Sequence, residues 1–381
     1  MLAGIVTALV GFSSSFAVVL SGLAAQGAST SQAASGLLVL SLAMALGIVV
    51  LALRYRMPLT LAWSTPGAAL LASGHGGTPR WSAAVGAFLV VAALTALTGF
   101  WPWLSRQLAA IPIAIANAML AGVLLPICVT AFATVGRTPG YALPILLTWL
   151  VGYAFMRRWA VPLALVAALV VVALTLDEAP TTGALVPHLS WTTPTFDWRL
   201  VVGLAVPLFL VNIASQYAPG VAVMSTYGYR VPWRPTMVVT AGVSALAAPF
   251  GGHAVNLAAI SSALAASPEA HPDPRRRWIA AVSAAGGYVV LGLASAAAAF
   301  VLTHSPTGLV ITVAALALLA PLGNALHQCL AVPEDREAAV ITFVATASGL
   351  SLFGVGAAFW GLASGLVVRT LLRAVRARRP A

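Results

Sequence analysis

The sequence predicts an all-α polytopic membrane protein, and three observations carry that prediction. The chain of 381 residues is 61% hydrophobic and only 7% charged, whereas soluble domains carry roughly 25% charged residues. Its apolar runs repeatedly reach the roughly 17–25 residues that a helix needs to cross a bilayer. Two of these runs, one in each half of the chain, are interrupted by proline and glycine, as in transporters whose broken helices meet at a central site.

The apolar runs divide the chain into two halves. They fall near 3–24, 31–53, 57–73, 81–100, 111–133, 141–156 and 160–176, and then near 199–218, 234–248, 252–266, 277–302, 307–329, 337–353 and 355–373. This pattern predicts about 14 transmembrane segments. The polar, proline-containing stretch 177–198 then connects a first repeat at 1–176 with a second at 199–381, on the extracytoplasmic side.

Basic residues predict the orientation in the membrane, because cytoplasmic loops are enriched in Arg and Lys. All 19 basic residues are arginine. With a cytoplasmic N terminus, every arginine except Arg80, Arg137 and Arg199 falls on the cytoplasmic side, so we expect both termini there. An odd number of spans in each half also gives the second half the opposite orientation, as an inverted-topology repeat requires.

Several other classes of function are disfavoured by the sequence. The net charge of +11 does not indicate nucleic-acid binding, because the arginines are scattered between apolar runs and form no aromatic-interleaved basic face. Cys128 and Cys329 have neither metal nor redox spacing, so no metal or cofactor is expected. The spans contain no nucleophile–base pair or ligand cluster of the kind an intramembrane enzyme would need.

The two interrupted runs are 62–68 and 247–256. Pro249 removes a backbone donor, and the glycines that follow it loosen the chain just before His253 and Asn256, which we interpret as the restart of a helix. Helix N-termini exposed at both breaks would direct unpaired N–H groups and positive dipole ends toward one point. All 8 acidic residues fall in predicted loops or at their edges, so the environment favours an anion over a cation.

Polar and aromatic residues near the breaks complete the predicted substrate site, which comprises Ser13, Ser14, Trp63, Ser64, Thr65, Gly67, Asn212, Gln216, Tyr217, Gly251, Gly252, His253 and Asn256. Asn212 and Gln216 lie one helical turn apart and are expected on one face. His253 is the ionisable side chain nearest the second break, and its ordinary pKa of about 6.5 lets modest changes of environment switch its charge. A packing role for the hydroxyl and amide groups stays open, since such groups also join membrane helices.

Several strings resemble the BenE family of benzoate:proton symporters. They are GFSSS at 11–15, RYRMP at 54–58, AWSTPGAAL at 62–70, VNIASQ at 211–216, APG at 218–220, APFGGHAVNL at 248–257 and PEAHPD at 268–273. The resemblance covers nearly the whole chain. It implies import of benzoate or a related aromatic carboxylate with a proton across a bacterial inner membrane, by alternating access. His253 is then the expected proton carrier. The resemblance leaves open a homodimer formed through the gate domains.

The BenE family is in turn similar to nucleobase and ascorbate permeases, which implies a particular fold. Two inverted repeats of seven spans would form a core domain from residues 1–100 and 199–304 and a gate domain from residues 101–176 and 305–375. Spans 3 and 10 would be broken and carry short strands that meet near the midplane.

The chain also departs from the pattern of those permeases. Nucleobase carriers of this fold use glutamates in spans 8 and 10, where this chain has Asn212 or Gln216 and His253. A carboxylate substrate fits these side chains better than a nucleobase does. The alternatives are a channel or uniporter for small organic acids and a nucleobase-type permease of the same fold.

Overall fold

The computed structural model describes residues 1–13, 15–73, 80–101, 111–175, 185–306, 308–353 and 355–377. The helices and strands, in chain order, are α1 Leu2–Ser13, α2 Phe16–Ala25, α3 Thr30–Tyr55, β1 Leu61–Trp63, α4 Thr65–Ala72, α5 Trp81–Phe100, α6 Ile113–Arg137, α7 Pro139–Phe155, α8 Ala160–Thr175, α9 Trp198–Thr226, α10 Trp233–Ala247, β2 Val255–Leu257, α11 Ile260–Ala266, α12 Trp278–Leu293, α13 Ser295–His304, α14 Leu309–Leu330, α15 Arg336–Ala347 and α16 Ala357–Ala377. The predicted helical membrane fold with broken helices and short strands is confirmed.

Many of these helices are long enough to cross a membrane. Within the described ranges, 7 helical segments are long and apolar enough to cross a membrane, or 8 if the bent pair α12 and α13 is one span. Helices α7 and α8 are apolar but shorter, and α4 and α11 have only 8 and 7 residues. The number of about 14 crossings therefore stays a prediction.

Two helices differ from the expected runs. Helix α9 continues to Thr226, past the expected end at 218, and contains π turns at Val201–Ala205 and Ile213–Tyr217. Each π turn lies just before a proline, Pro207 or Pro219, whose missing N–H and ring disturb the regular hydrogen-bond ladder. The expected continuous run 277–302 is bent by 49° between α12 and α13.

The two short strands pair with each other and join the two halves of the chain. They are antiparallel, with Leu61 opposite Leu257 and Trp63 opposite Val255. The ladder extends beyond the strands, because the Ser64 N–H donates to the Ala254 carbonyl at 3.3 Å. The two breaks predicted from proline and glycine therefore lie side by side.

The first break is followed directly by a capped half-helix. Ser64 is the N-cap of α4, and its hydroxyl accepts a hydrogen bond from the Gly67 N–H at 2.9 Å. Pro66 follows within the first turn, a position where its missing N–H costs little. The start of α4 is therefore largely satisfied within its own turn, contrary to the expectation of unpaired N–H groups there.

The second break is longer than expected. Helix α10 ends in a short 3-10 turn, and Gly251 then adopts a left-handed backbone with φ 99°. The expected restart of a helix at His253 and Asn256 is wrong, because the chain there is extended and pairs with β1. The half-helix α11 begins only at Ile260.

The long helices form two packing groups. In one, α3 packs on α12 and α5 packs on α10; in the other, α6 packs on α14 and α15. The first group draws its helices from 1–100 and 199–304, the second from 111–175 and 309–377. Whether the groups move as the expected core and gate domains stays a prediction.

The described part of the connection between the halves, residues 185–197, is extended and bound to the first packing group. The Ser190 N–H donates to the Ser35 hydroxyl at 3.0 Å, and the Thr192 N–H donates to the Pro249 carbonyl at 2.8 Å. The Trp81 indole donates to the Thr192 hydroxyl at 2.9 Å. Hydrogen bonds of the connection therefore join the start of α5 to the turn that ends α10.

Candidate functional site

A cavity of about 1290 Å³ lies beside the strand crossing. It is lined by Ala62 and Trp63 of β1, by the first residues of α4, and by the residues just before and at the start of α11. Helices of both packing groups supply the rest of the wall, among them α1, α6, α9 and α14. The volume exceeds the roughly 300–1,000 Å³ of ordinary small-molecule pockets, so the cavity includes an access path as well as room for a ligand.

The cavity lies on one side of the crossing. The residues that α6 contributes, from Ile113 to Leu120, come from its beginning, and those of α14, from Ala317 to Gln328, come from its middle and its C-terminal part. Arg157, between α7 and α8, and Trp233, at the start of α10, belong to the same end. The opposite end carries the extended connection described above.

The charge of the cavity wall has one sign. The polar and charged lining residues, apart from tryptophans, are Thr7, Ser15, Thr65, Asn117, Arg157, Ser215, Gln216, Ser261, Tyr288, Asn324 and Gln328. Among these described residues Arg157 is the single charged side chain, and no carboxylate is present. Its guanidinium donates to the Tyr153 hydroxyl at 2.8 Å. The wall therefore combines hydroxyl and amide groups with a positive charge.

Three of the residues predicted from the sequence line the cavity: Trp63, Thr65 and Gln216. The Trp63 indole N–H donates to the Ser15 hydroxyl at 2.8 Å, and the Trp63 ring meets the edge of Phe12 at a centroid distance of 5.5 Å. These contacts hold the tryptophan ring at the crossing, where it forms an aromatic part of the wall.

The other predicted residues lie outside the cavity wall. Those within the described ranges are all buried behind it: Ser13, Ser64, Gly67, Asn212, Tyr217, Gly251, Gly252, His253 and Asn256. Ser14 falls outside the described residues. Ser13 donates to the Val10 carbonyl of its own helix. Contact of these residues with a substrate stays a prediction, and for several of them it would require a different conformation.

His253 lies directly behind the start of α4. It has no exposed surface, and its Nε2 is 3.1 Å from the carbonyl oxygen of Ser64. Because a carbonyl only accepts hydrogen bonds, Nε2 carries the hydrogen in this arrangement. Nδ1 then keeps its lone pair and has no hydrogen-bond partner among the described residues.

Asn212 and Gln216, which the sequence places one helical turn apart, differ in their exposure to the cavity. Gln216 lines the cavity, whereas Asn212 is buried and its side-chain oxygen and nitrogen find no partner in the described part of the chain. A π turn at Ile213–Tyr217 begins directly after Asn212 and contains Gln216. The sequence predicts a regular α-helix over residues 212–216, and the structure has this π turn instead.

Several wall residues were not among the predicted ones. Three of them belong to helices of the second packing group: Asn117, Asn324 and Gln328. In the sequence these residues are only amides within apolar helices. The four-residue spacing between Asn324 and Gln328 is a weak signal that these two side chains share one face of their helix. Tyr288 has no sequence signal, because only the packing of α12 against α1 brings it to the cavity.

Solved structures of similar fold cover nearly the whole chain. Murine Slc26a9, described as an anion transporter in the inward-facing state, matches with a TM-score of 0.63 at 13% identity, over 100% of this chain and 69% of that chain. The transmembrane domain of a cyanobacterial bicarbonate transporter, BicA, matches with a TM-score of 0.62 at 11% identity, over 96% of this chain and 97% of that chain. The fold is that of a membrane transporter with inverted repeats.

The chain belongs to the BenE family, since its residues 1–371 match the family model described as benzoate membrane transport protein. The inner membrane protein YdcO of Escherichia coli (strain K12) is 39% identical over 99% of this chain and 97% of its own length. A benzoate membrane transport protein of Acinetobacter baylyi is 27% identical over 97% of this chain and 94% of its own length. The chain is therefore a multi-pass membrane transporter and not an enzyme.

Proposed function

We propose that this transporter imports benzoate or a related aromatic carboxylate together with a proton. The observation that carries the proposal is the charge of the cavity wall, in which Arg157 is the one charged side chain among the described residues. A cleft with one sign of charge and low-dielectric walls concentrates ions of the opposite sign. The name of the Acinetobacter relative, a benzoate membrane transport protein, supports an aromatic carboxylate as that anion.

The apolar part of the wall suits an aromatic ring. Trp63 and Trp233 offer ring faces, and Met44, Met119 and Leu120 offer aliphatic and thioether surface. Aromatic and methionine side chains favour contact with a flat ring. The hydroxyl and amide groups of the same wall would then bind the carboxylate, which needs donors on one side only.

Proton coupling is assigned to His253. Its free Nδ1 is the atom that would take up a proton, and its Nε2–H donates to the carbonyl of Ser64. Ser64 caps α4, whose first residues Thr65 and Pro66 line the cavity. One hydrogen bond therefore links the proposed proton carrier to the wall that the substrate would contact.

The orientation follows from the arginines. With both termini in the cytoplasm of a bacterium and the chain in its inner membrane, the end that carries Arg157 faces inward, and the cavity is the inward-facing site of an alternating-access cycle. Outward opening would require the two packing groups to move past each other.

The proposal is tested by uptake of labelled benzoate into proteoliposomes that contain the purified protein. An inward-directed proton gradient is expected to drive benzoate above its equilibrium distribution, and a protonophore to abolish the accumulation. Protein-free liposomes under the same gradient give the background from diffusion of benzoic acid. Uptake equal to that background would refute the proposed transport.

The same preparation distinguishes a carrier from a channel for organic acids. A carrier preloaded with unlabelled benzoate exchanges it for labelled benzoate faster than empty vesicles take up the label. A channel shows no such trans-stimulation. Absence of exchange, together with conductive benzoate flux, would replace the symporter proposal with the channel.

A further inference from the structure

Arg277 is a buried arginine directly before α12, and the site described so far gives it no role. It is the third of three consecutive arginines, and Arg275 and Arg276 are exposed whereas only 6% of the Arg277 surface is accessible. Burial of a charged group is costly unless hydrogen bonds replace its water. The contacts of Arg277 therefore need an explanation beyond the cytoplasmic placement that the sequence predicts for all three arginines.

The guanidinium of Arg277 donates a hydrogen bond from each of its three nitrogens to a backbone carbonyl. Nη1 donates to Ala266 at 2.7 Å, Nε to His271 at 2.8 Å and Nη2 to Pro272 at 3.5 Å. Ala266 is the last residue of α11, where the carbonyls of a helix lack N–H partners within the helix. Arg277 therefore caps the C-terminal end of α11 and binds the loop that leads from α11 to α12.

The helix that carries this contact is anchored in the first packing group. Helix α12 packs along α1 and α3. At the end of α3, the Arg56 guanidinium carbon lies 4.5 Å from the ring centroid of Trp278, the residue after Arg277. The end of α11 is thereby joined to long helices whose own positions do not depend on α11.

The beginning of α11 is held by a second polar contact. The Thr60 hydroxyl donates to Ser261 Oγ at 3.1 Å, and Thr60 Oγ1 lies 3.0 Å from Ser262 Oγ. Helix α11 has only 7 residues and no side-chain cap at its start, and isolated helices shorter than about 12 residues are marginal. Its position therefore depends on the contacts at its two ends.

We propose that Arg277 is a positioning residue of the substrate site, because it fixes the C-terminal end of the half-helix that forms part of the cavity wall. The wall residues within α11 are Ile260, Ser261 and Leu264. Arg277 itself does not line the cavity, so it acts on the substrate through α11. This assignment rests on the proposed transport of an aromatic carboxylate.

The arrangement needs the shape of arginine and not only its charge. A guanidinium presents its N–H groups in a rigid planar fork, whereas the ammonium of lysine is a compact charge on a flexible stem. Lysine at position 277 could keep the bond to one carbonyl but would not reproduce the fork. Glutamine would lose the fork and the charge together.

The experiment measures the KM and the maximal rate of benzoate uptake into proteoliposomes for Arg277→Gln and Arg277→Lys. Arg277→Gln is expected to raise the KM about fivefold with a maximal rate within about twofold of the parent, because contact groups have to stay within roughly 0.5 Å of their productive positions. Arg277→Lys is expected to give a KM between those of the parent and Arg277→Gln. This partial rescue would follow from the one bond that lysine can keep.

Two further variants frame the result. Arg276→Gln is the matched control, since the exposed Arg276 contacts only the edge of the loop, with its Nε 3.9 Å from the Asp273 carboxylate; it is expected to keep the parent KM. Thr60→Val releases the opposite end of α11 without touching Arg277, and it is expected to raise the KM as well.

The outcomes separate this assignment from the proposed function. Absence of benzoate uptake by the parent protein would remove both. Normal parent uptake with an unchanged KM in Arg277→Gln would overturn the role of Arg277 alone, and so would an equal rise of the KM in Arg276→Gln. If Arg277→Gln is not recovered as a folded protein, Arg277→Lys decides: a raised KM at unchanged maximal rate supports the assignment, and an unchanged KM overturns it.

Discussion

Three buried residues around the crossing have side-chain atoms without hydrogen-bond partners among the described residues: Asn212, His253 and Asn256. Unpaired polar atoms in a protein interior are costly and call for an explanation. All three were predicted from the sequence as site residues, because polar side chains are rare inside membrane spans. Their burial behind the cavity wall fits groups that act on the substrate indirectly or become accessible in another conformation.

His253→Gln separates the two roles considered for this histidine, which are proton coupling and substrate binding. A glutamine amide can still donate to the Ser64 carbonyl, but it does not take up a proton at physiological pH. We expect uptake down a benzoate gradient to continue, while accumulation driven by a proton gradient falls to the level of the gradient-free reaction. Both are measured in proteoliposomes.

The control for this substitution is His271→Gln. His271 lies in the exposed loop before α12, where its Nδ1 accepts a hydrogen bond from the Asp273 N–H at 3.0 Å. This variant is expected to keep full gradient-driven accumulation. Full accumulation in His253→Gln as well would show that another group carries the proton.

At the scale of single elements, the positions of the two breaks could be predicted from the sequence, and their internal structure only in part. Proline and glycine mark where a helix cannot continue, so 62–68 and 247–256 were found. The sequence does not say which way the chain leaves the second break. Pairing of Val255–Leu257 with β1, a contact between residues far apart in the chain, decides that it becomes a strand.

Gly251→Ala tests the turn that redirects the second broken span. Gly251 has φ 99°, and an added Cβ would lie 3.1 Å from both the Gly36 Cα and the Trp81 ring. A left-handed backbone costs a residue with a side chain roughly 1–2 kcal/mol, so the thermal unfolding temperature in detergent is expected to fall clearly.

Gly242→Ala in α10 is the matched control. A Cβ at Gly242 meets no heavy atom within 4 Å, and alanine is favoured over glycine within a helix by about 1 kcal/mol. Its unfolding temperature is expected to stay unchanged or to rise. Equal unfolding temperatures for the two variants would mean that the turn at Gly251 is not under strain.

For the whole molecule, composition and hydrophobic run length were sufficient to predict the helical membrane fold and most helix bounds. The positions of side chains in the cavity were not predictable to the same degree. Asn212 is buried although Gln216, four residues later, lines the cavity, and Tyr288 reaches the wall only through tertiary packing. The division into moving core and gate domains and a homodimer through the gate stay predictions.

The central claim is that the cavity at the crossing selects an aromatic anion through its positive charge and its hydroxyl and amide groups. Binding of benzoate and of benzamidine to the purified protein, followed by isothermal titration calorimetry, tests it most directly, because the two ligands have similar size and shape but opposite charge at neutral pH. The account predicts saturable binding of benzoate and no measurable binding of benzamidine. Equal affinity for both ligands, or preference for the cation, would contradict it.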